Sequence, residues 1–224
     1  TPHVNYPVSD RAREVYGGRN FNGYGLGWGT TEYHGKQMVS HTGGYDGMYS
    51  AVTMLPTEKI GVVILTNTMD GIGTLLSYEI IDRLLGLPQQ DWKNRGINQD
   101  KGHWADRAAR IKERTDARIM GTKPSMDVVA ISGLYRCPLF GDIRILEENG
   151  KLTIDFVHSP QLKARLSHWH NDTYQLEWLE EQAWFEFGTV QIQMNNSGKP
   201  SGLLFDVPND DIFFEEIKAV RVTP

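Results

Sequence analysis

From Ser125 to the end of the chain, short segments alternate apolar and polar residues. Turn residues interrupt this pattern about every eight to twelve positions, which is typical of a β-sandwich or β-barrel. The clearest hairpin joins residues 143–148 to 151–157 through Asn149-Gly150, a preferred pair for a two-residue turn. We predict about eight strands, enough to close a small antiparallel barrel.

The interior of this barrel follows from the alternation of side chains along each strand. Trp169, Trp178 and Trp184 fit either a packed core or the lining of a ligand cavity. The residues predicted to face inward are Leu152, Ile154, Phe156, Leu162, Ala164, Leu166, Tyr174, Leu176, Trp178, Phe185, Phe187, Val190, Ile192, Met194, Leu203, Phe205, Phe213 and Ile217.

Two histidines in this region raise the question of a metal site. His168 and His170 are two positions apart on a predicted strand, so their imidazoles are expected to face the same side. No further ligands stand at the paired spacing of a zinc site. We therefore predict no metal and no cofactor. Cys137 is the only cysteine, which rules out an intrachain disulfide and favours a packing role.

The first 87 residues have a different pattern, which predicts an α+β fold. Residues 1–23 are polar and rich in glycine, and we predict a surface loop there. Two hairpins follow, residues 24–33 with 38–41 around a turn at 34–36, and residues 50–55 with 60–66. The continuous apolar run at 62–65 indicates a strand covered on both faces, and apolar residues at helical spacing from Ile72 predict a packing helix that ends at Gly86.

The predicted organisation has three parts: residues 1–87, a linker at residues 88–124, and the barrel at residues 125–224. The linker begins as a polar connector and continues as a charged helix with one apolar stripe. The net charge is −5 and the basic residues are dispersed, which argues against nucleic acid as a partner. The longest apolar run is too short to span a membrane.

The candidate site is the segment Ser40-His41-Thr42-Gly43-Gly44, followed by Tyr45-Asp46-Gly47. It places a titratable ring, a hydroxyl and two residues without side chains at the end of an apolar strand. Such a backbone lets a ligand approach closely. The same residue types also fit a tight turn or bulge between two strands, so residue types alone leave both interpretations open.

A family resemblance bears on this choice. The spaced residues in the first part of the chain resemble the C-terminal third of the serine β-lactamases and penicillin-binding-protein-like hydrolases, above all the class C-like branch with its D-amino-acid peptidases and esterases. The barrel segment resembles a lipocalin-like domain, often appended to those enzymes, whose role is unassigned. The matching residues are Tyr24-Gly25-Leu26-Gly27-Trp28, His41-Thr42-Gly43-Gly44, Gly47, Ser50, Pro56 and 61–67 for the first, and Tyr135, Gly141-Asp142, Asn149-Gly150-Lys151-Leu152, His168-Trp169 and Phe205-Asp206-Val207-Pro208 for the second.

The resemblance implies a serine hydrolase that forms an acyl-enzyme with a small-molecule or peptide substrate. In that comparison His41 stands where many relatives carry lysine, Thr42 directs its hydroxyl toward the substrate, and the Gly44 N–H belongs to the oxyanion hole. Gly43 and Tyr45 are the implied substrate contacts. An imidazole is mostly neutral at neutral pH. With histidine at this position, a substrate that carries a carboxylate is therefore less expected than it would be with lysine.

The nucleophile of the family is missing from this chain. No serine is followed by lysine three positions later, and neither Tyr-x-Asn nor Ser-x-Asn occurs. We expect both motifs upstream of Thr1, so this chain alone is predicted to be inactive. The resemblance also implies a bacterial parent enzyme in the periplasm or secreted. The alternatives are a ligand-binding module built on the barrel and a dimerisation module, and the fragment itself is predicted to self-associate as a homodimer.

Overall fold

The computed structural model describes residues 2–45 and 47–222. The chain divides into two compact units, residues 1–103 and 104–224. The first combines an antiparallel sheet with helices, and the second contains a closed antiparallel barrel. The predicted α+β fold with an appended barrel is therefore confirmed. No helix in the described ranges combines the length and hydrophobicity of a membrane-spanning segment.

In the first unit, six strands form one sheet whose order follows the chain. The predicted loop at residues 1–23 is wrong in part, since it contains a short strand and a helix capped by Ser9, whose Oγ accepts a hydrogen bond from the Ala12 N–H. The elements are β1 (Val4–Asn5), α1 (Asp10–Val15), β2 (Asn22–Gly25), β3 (Trp28–Tyr33), β4 (Lys36–Tyr45), β5 (Met48–Leu55), β6 (Ile60–Thr66) and α2 (Ile72–Leu85).

Two-residue turns set the register of this sheet. Leu26 and Gly27 connect β2 to β3 with φ of 51° and 80°, and His34 and Gly35 connect β3 to β4 with φ of 48° and 73°. Two consecutive positive φ angles identify type I′ turns, whose twist matches that of the flanking strands. The predicted extended segment at 24–33 is thus two strands, because the Leu26-Gly27 turn folds it back on itself.

Helix α2 covers one face of the sheet. Its buried Leu75 and Ile81 belong to the same core as Met38 of β4, Leu55 of β5 and Val62 of β6. The helix ends where the sequence predicts, at Gly86, which adopts a left-handed conformation with φ of 66°.

The opposite face of the sheet is open. Val63 and Leu65 alternate with the core-facing residues of β6 and remain 62% and 77% exposed. The prediction that this strand is covered on both faces is therefore wrong within the described chain, where α2 covers only one.

A buried carboxylate joins the sheet to the helices of the first unit. Asp82 of α2 is 1% exposed and accepts hydrogen bonds from the Tyr33 hydroxyl and, at 2.7 Å, from the Trp92 indole N–H. Burial and the neighbouring Asp82 raise the pKa of the Tyr33 phenol, which therefore stays protonated as a donor. Trp92 begins α3 (Trp92–Asp116), so this contact anchors the first turn of that helix.

In the second unit, a short helix leads into eight strands that close a barrel in the order β10-β11-β12-β13-β14-β7-β8-β9. The predicted Asn149-Gly150 hairpin is confirmed, with Glu148 paired to Lys151. The elements are α4 (Val128–Ile131), β7 (Gly133–Cys137), β8 (Gly141–Glu148), β9 (Lys151–Phe156), β10 (Lys163–His170), β11 (Thr173–Trp178), β12 (Thr189–Met194), β13 (Pro200–Asp206), a 3-10 helix (Phe214–Glu216) and β14 (Ala219–Arg221).

Most of the predicted inward residues form the buried barrel core, but three do not. Phe187 is buried outside that core, against the ring of Trp169. Met194 is 46% exposed at the last position of β12, where the β12–β13 register shifts. Phe213 is 58% exposed because its neighbour Phe214, at 1%, occupies the core position instead.

The charged linker helix is α3, which begins well before the predicted apolar stripe. The three-part division of the chain stays a prediction.

Removing the Tyr33 hydroxyl tests whether its hydrogen bond to the buried Asp82 carboxylate stabilises the fold. We expect Tyr33→Phe to lower the free energy of unfolding by about 1–3 kcal/mol, because Asp82 loses a donor in a site that water does not reach. Denaturant unfolding followed by circular dichroism measures the change. Glu79→Gln, at a half-buried side chain of α2 that pairs with Arg83, is the control and should change stability by less than about 0.5 kcal/mol. Equal losses in both variants would contradict the proposed role of Asp82.

Candidate active site

All five predicted site residues lie on the last part of β4. His41, Thr42, Gly43, Gly44 and Tyr45 are exposed and pair with β5, from His41 opposite Val52 to Tyr45 opposite Met48. On its other side, β4 pairs with β3 only as far as Ser40, which lies opposite Gly29. The site segment is thus a strand with one free edge in the described part of the chain. Asp46, which follows it, lies outside the described residues.

The register decides which backbone groups face that edge. The turn at His34-Gly35 closes with Lys36 opposite Tyr33, and a type I′ turn bonds these two residues to each other. In an antiparallel sheet, alternate residues of a strand direct their N–H and C=O to the same neighbour. Counting from Lys36 in steps of two, Thr42 and Gly44 direct theirs to the β3 side, beyond the last β3 partner. Their backbone groups are available to an extended ligand.

The side chains of the site alternate between the two faces of the sheet. Thr42 shares a face with Ala51 of β5, whereas His41 and Tyr45 point to the other face. The structure therefore brings His41, Thr42 and Gly44 together along one edge while placing the imidazole and the hydroxyl on opposite faces. A ligand lying along the edge could contact both.

His41 has aromatic neighbours that sequence reasoning did not assign to it. The Tyr24 hydroxyl lies 3.0 Å from His41 Nε2, within hydrogen-bond distance. The ring of Trp28 lies edge-on to the imidazole, with centroids 6.4 Å apart. Both residues belong to the Tyr24-Gly25-Leu26-Gly27-Trp28 motif, so the motif itself was the available signal. The β2–β3 turn brings them beside β4 and orients the imidazole.

Gly43 is fixed by its partner strand without being crowded. The Ser50 hydroxyl donates a 3.2 Å hydrogen bond to the Gly43 carbonyl. A Cβ atom built on Gly43 would meet that hydroxyl oxygen at 3.5 Å, an ordinary contact distance. Packing within the described chain therefore does not require glycine at this position. An alternative reason for glycine at this position is that it leaves space for a ligand to approach the backbone.

The structure separates His168 from His170, contrary to the expectation that they face the same side. A bulge in β10 places His168 opposite Tyr174 and His170 opposite Thr173, which are adjacent residues on opposite faces of β11. His170 Nδ1 accepts a hydrogen bond from the Ile119 N–H, and His168 Nε2 contacts the Asn171 carbonyl. In the described ranges, no three His, Cys, Asp or Glu side chains are grouped to hold a metal.

Two shallow cavities lie on the outside of the barrel. One, of about 450 Å³, runs beside α4 and the outer faces of β7 and β8. The other, of about 320 Å³, is lined by α3 and strands β10 to β13, with Trp169 and Asp206 among its residues. The barrel interior is filled by the core, in which Trp178 and Phe185 pack edge to face with centroids 4.8 Å apart.

Comparison with known proteins agrees with the sheet and the barrel as separate segments. Residues 6–84 match the family described as beta-lactamase, and residues 117–221 match a domain of unknown function, DUF3471. The unguisins hydrolase ungD of Aspergillus violaceofuscus is 41% identical over 71 residues, which are 30% of this chain and 12% of that protein. Unguisins hydrolase ungD' of Aspergillus campestris is 35% identical over 75 residues, 31% of this chain and 14% of that protein.

Among solved structures, the octameric penicillin-binding protein homologue from Pyrococcus abyssi aligns over 99% of this chain and 40% of its own, with 14% identity and a TM-score of 0.34. The family match makes the first part of the chain a beta-lactamase-like segment, and the curated relatives are named as hydrolases. Residues 6–84 are that beta-lactamase-like fragment, and a closed barrel follows it.

Removing the Tyr24 hydroxyl tests whether Tyr24 orients His41. We expect Tyr24→Phe to shift the ¹⁵N resonances of the His41 ring, because Nε2 loses its hydrogen-bond partner. Nitrogen-detected NMR of the imidazole measures the change. Tyr45→Phe, a similar substitution on the same face of β4, should leave these resonances in place. Unchanged His41 signals in the Y24F variant would exclude the orienting contact.

Proposed function

We propose that the free edge of β4 is the substrate-binding wall of a serine hydrolase that works through an acyl-enzyme. The observation that supports this most is the register of β4, which directs the backbone of Thr42 and Gly44 away from β5 and beyond the end of β3. An extended acyl group can lie along that edge as an additional strand. The Gly44 N–H would then donate to the carbonyl oxygen on which negative charge develops.

The other groups at this edge would bind and orient the substrate. The Thr42 hydroxyl can donate to a carbonyl on one face, while His41, held by Tyr24, meets the substrate on the other. Gly43 and Tyr45 complete the contact surface. Substrates proposed for this arrangement are D-amino-acid esters and small peptides. The two curated relatives are named as hydrolases, which agrees with this reaction class.

The reaction needs groups that these 224 residues do not contain. Ser-x-x-Lys supplies the nucleophile and its base in the family resembled, and that motif is absent from this sequence. We propose that the remainder of a longer parent enzyme supplies it. A periplasmic or secreted location in a bacterial parent, and a homodimer of this chain formed through the open sheet face at Val63 and Leu65, remain expectations of the same proposal.

Labelling with a fluorophosphonate probe tests whether this chain differs from the longer parent enzyme in having no reactive serine. We expect no stoichiometric labelling of residues 1–224 by intact mass, because the chain has no activated serine. A longer polypeptide that includes Ser-x-x-Lys should be labelled once and hydrolyse D-amino-acid esters. Labelling of the chain alone, or a parent that lacks the motif, would refute the acyl-enzyme proposal.

Filling the space above Gly43 tests the substrate wall in that longer enzyme. We expect Gly43→Ala to lower kcat/KM by about tenfold or more, because the added methyl displaces a substrate from the Gly44 donor. Folding should be retained, since the methyl makes only ordinary contact with Ser50. Gly61→Ala on β6 of the same sheet is the matched control. Equal kcat/KM in the two variants would place the substrate elsewhere.

A further inference from the structure

The two ends of the barrel differ in a way that the proposed hydrolase does not use. Successive strands are antiparallel neighbours, so their connections alternate between the ends. One end, here called the turn end, has the polar connections at residues 149–150, 171–172 and 195–199. The other, the loop end, has the connections at 138–140, 157–162, 179–188 and 207–218.

Large apolar side chains are exposed on three of the four connections at the loop end. At the turn end they are exposed on the segment that leads into β7, at Ile119, Met120 and Val129, and not on the connections themselves. Leu139 is 71% exposed and Phe213 is 58% exposed. A cluster of exposed apolar side chains on adjoining connections is typical of an interaction surface. The full set at the loop end is Leu139, Phe140, Leu179, Ile212 and Phe213.

This surface is held in place by the residues beneath it. Phe214 packs edge to face on Phe185 with centroids 5.0 Å apart, so the core below is already filled. The Asn209 side chain accepts hydrogen bonds from the backbone N–H groups of Asp211 and Ile212 at 3.0 and 2.6 Å. The exposed residues are thus presented on a pre-organised loop, which lowers the entropy cost of binding.

The charge of the loop end indicates the chemistry of its partner. Its four connections contain the acidic residues Glu180, Glu181, Glu186, Asp210, Asp211, Glu215 and Glu216, and one lysine, Lys218. Two of the acids already bind arginines of α3, since Arg107 lies 3.6 Å from Glu186 and Arg110 lies 2.8 Å from Asp210. An anionic lipid surface or the same face of a second copy would meet like charge.

We propose that the loop end of the barrel binds a cationic polypeptide segment with large apolar side chains. The apolar tips would bury against its leucine or phenylalanine residues, and the surrounding carboxylates would attract its lysines or arginines. Apolar burial would provide most of the affinity, while charge would select the partner and make binding sensitive to salt. This interaction is independent of chemistry at β4.

The test uses the full chain and a synthetic twelve-residue peptide of lysine and leucine, with binding measured by calorimetry. A peptide with glutamate in place of lysine is the ligand control. We expect Leu139→Ser with Phe213→Ser to weaken binding by about tenfold or more, because two apolar contacts are lost. Val129→Ser with Leu146→Ser, exposed apolar residues on the outer wall, should change it less than about twofold.

A charge variant provides a second test that does not depend on the apolar substitutions. A variant with Glu180→Gln, Glu181→Gln, Glu215→Gln and Glu216→Gln should bind about tenfold more weakly at low salt, and the difference should be smaller at high salt because of screening. Equal binding of the glutamate peptide, or no effect of either loop-end variant, would overturn the proposal. Two further outcomes would overturn it. If the chain binds anionic phosphatidylglycerol vesicles and L139S/F213S abolishes that binding, the occupant is a membrane. If the chain self-associates and L139S/F213S abolishes the association, the occupant is a second copy.

Discussion

The register of the β3–β4 hairpin is the constraint on which the candidate site depends. A type I′ turn at His34-Gly35 places Lys36 opposite Tyr33, and every later residue of β4 inherits its direction from that pairing. A slip of one residue would direct Thr42 and Gly44 toward β5 and bury their backbone groups in the sheet. Two residues with positive φ therefore decide which amides a substrate can reach.

The buried carboxylate of Asp82 holds the same hairpin in place from the core side. It accepts hydrogen bonds from Tyr33, at the end of β3, and from Trp92, at the start of α3. An acidic group at this depth needs such donors, because water cannot solvate it. The core of the first unit thus stabilises the turn that aligns the site, while the open face around Val63 and Leu65 leaves apolar surface uncovered.

In the barrel, closure and end chemistry serve different purposes. Closure removes free strand edges, and an apolar core packs inside the barrel. The connections between strands lie outside this closed sheet, and their residues differ between the two ends of the barrel. Adjacent Phe213 and Phe214 illustrate the division, since one side chain is exposed on the loop end and the other completes the core.

The sequence by itself determined the α+β segment, the eight-stranded barrel, α2 with its end at Gly86, and the Asn149-Gly150 hairpin, because these depend on local periodicity and turn preferences. It also placed the candidate residues on one strand. Only the tertiary structure decided that Tyr24 contacts His41, that a bulge separates His168 from His170, and that Met194 and Phe213 leave the core. These outcomes depend on register and on contacts between residues distant in the chain, which a periodic pattern does not encode.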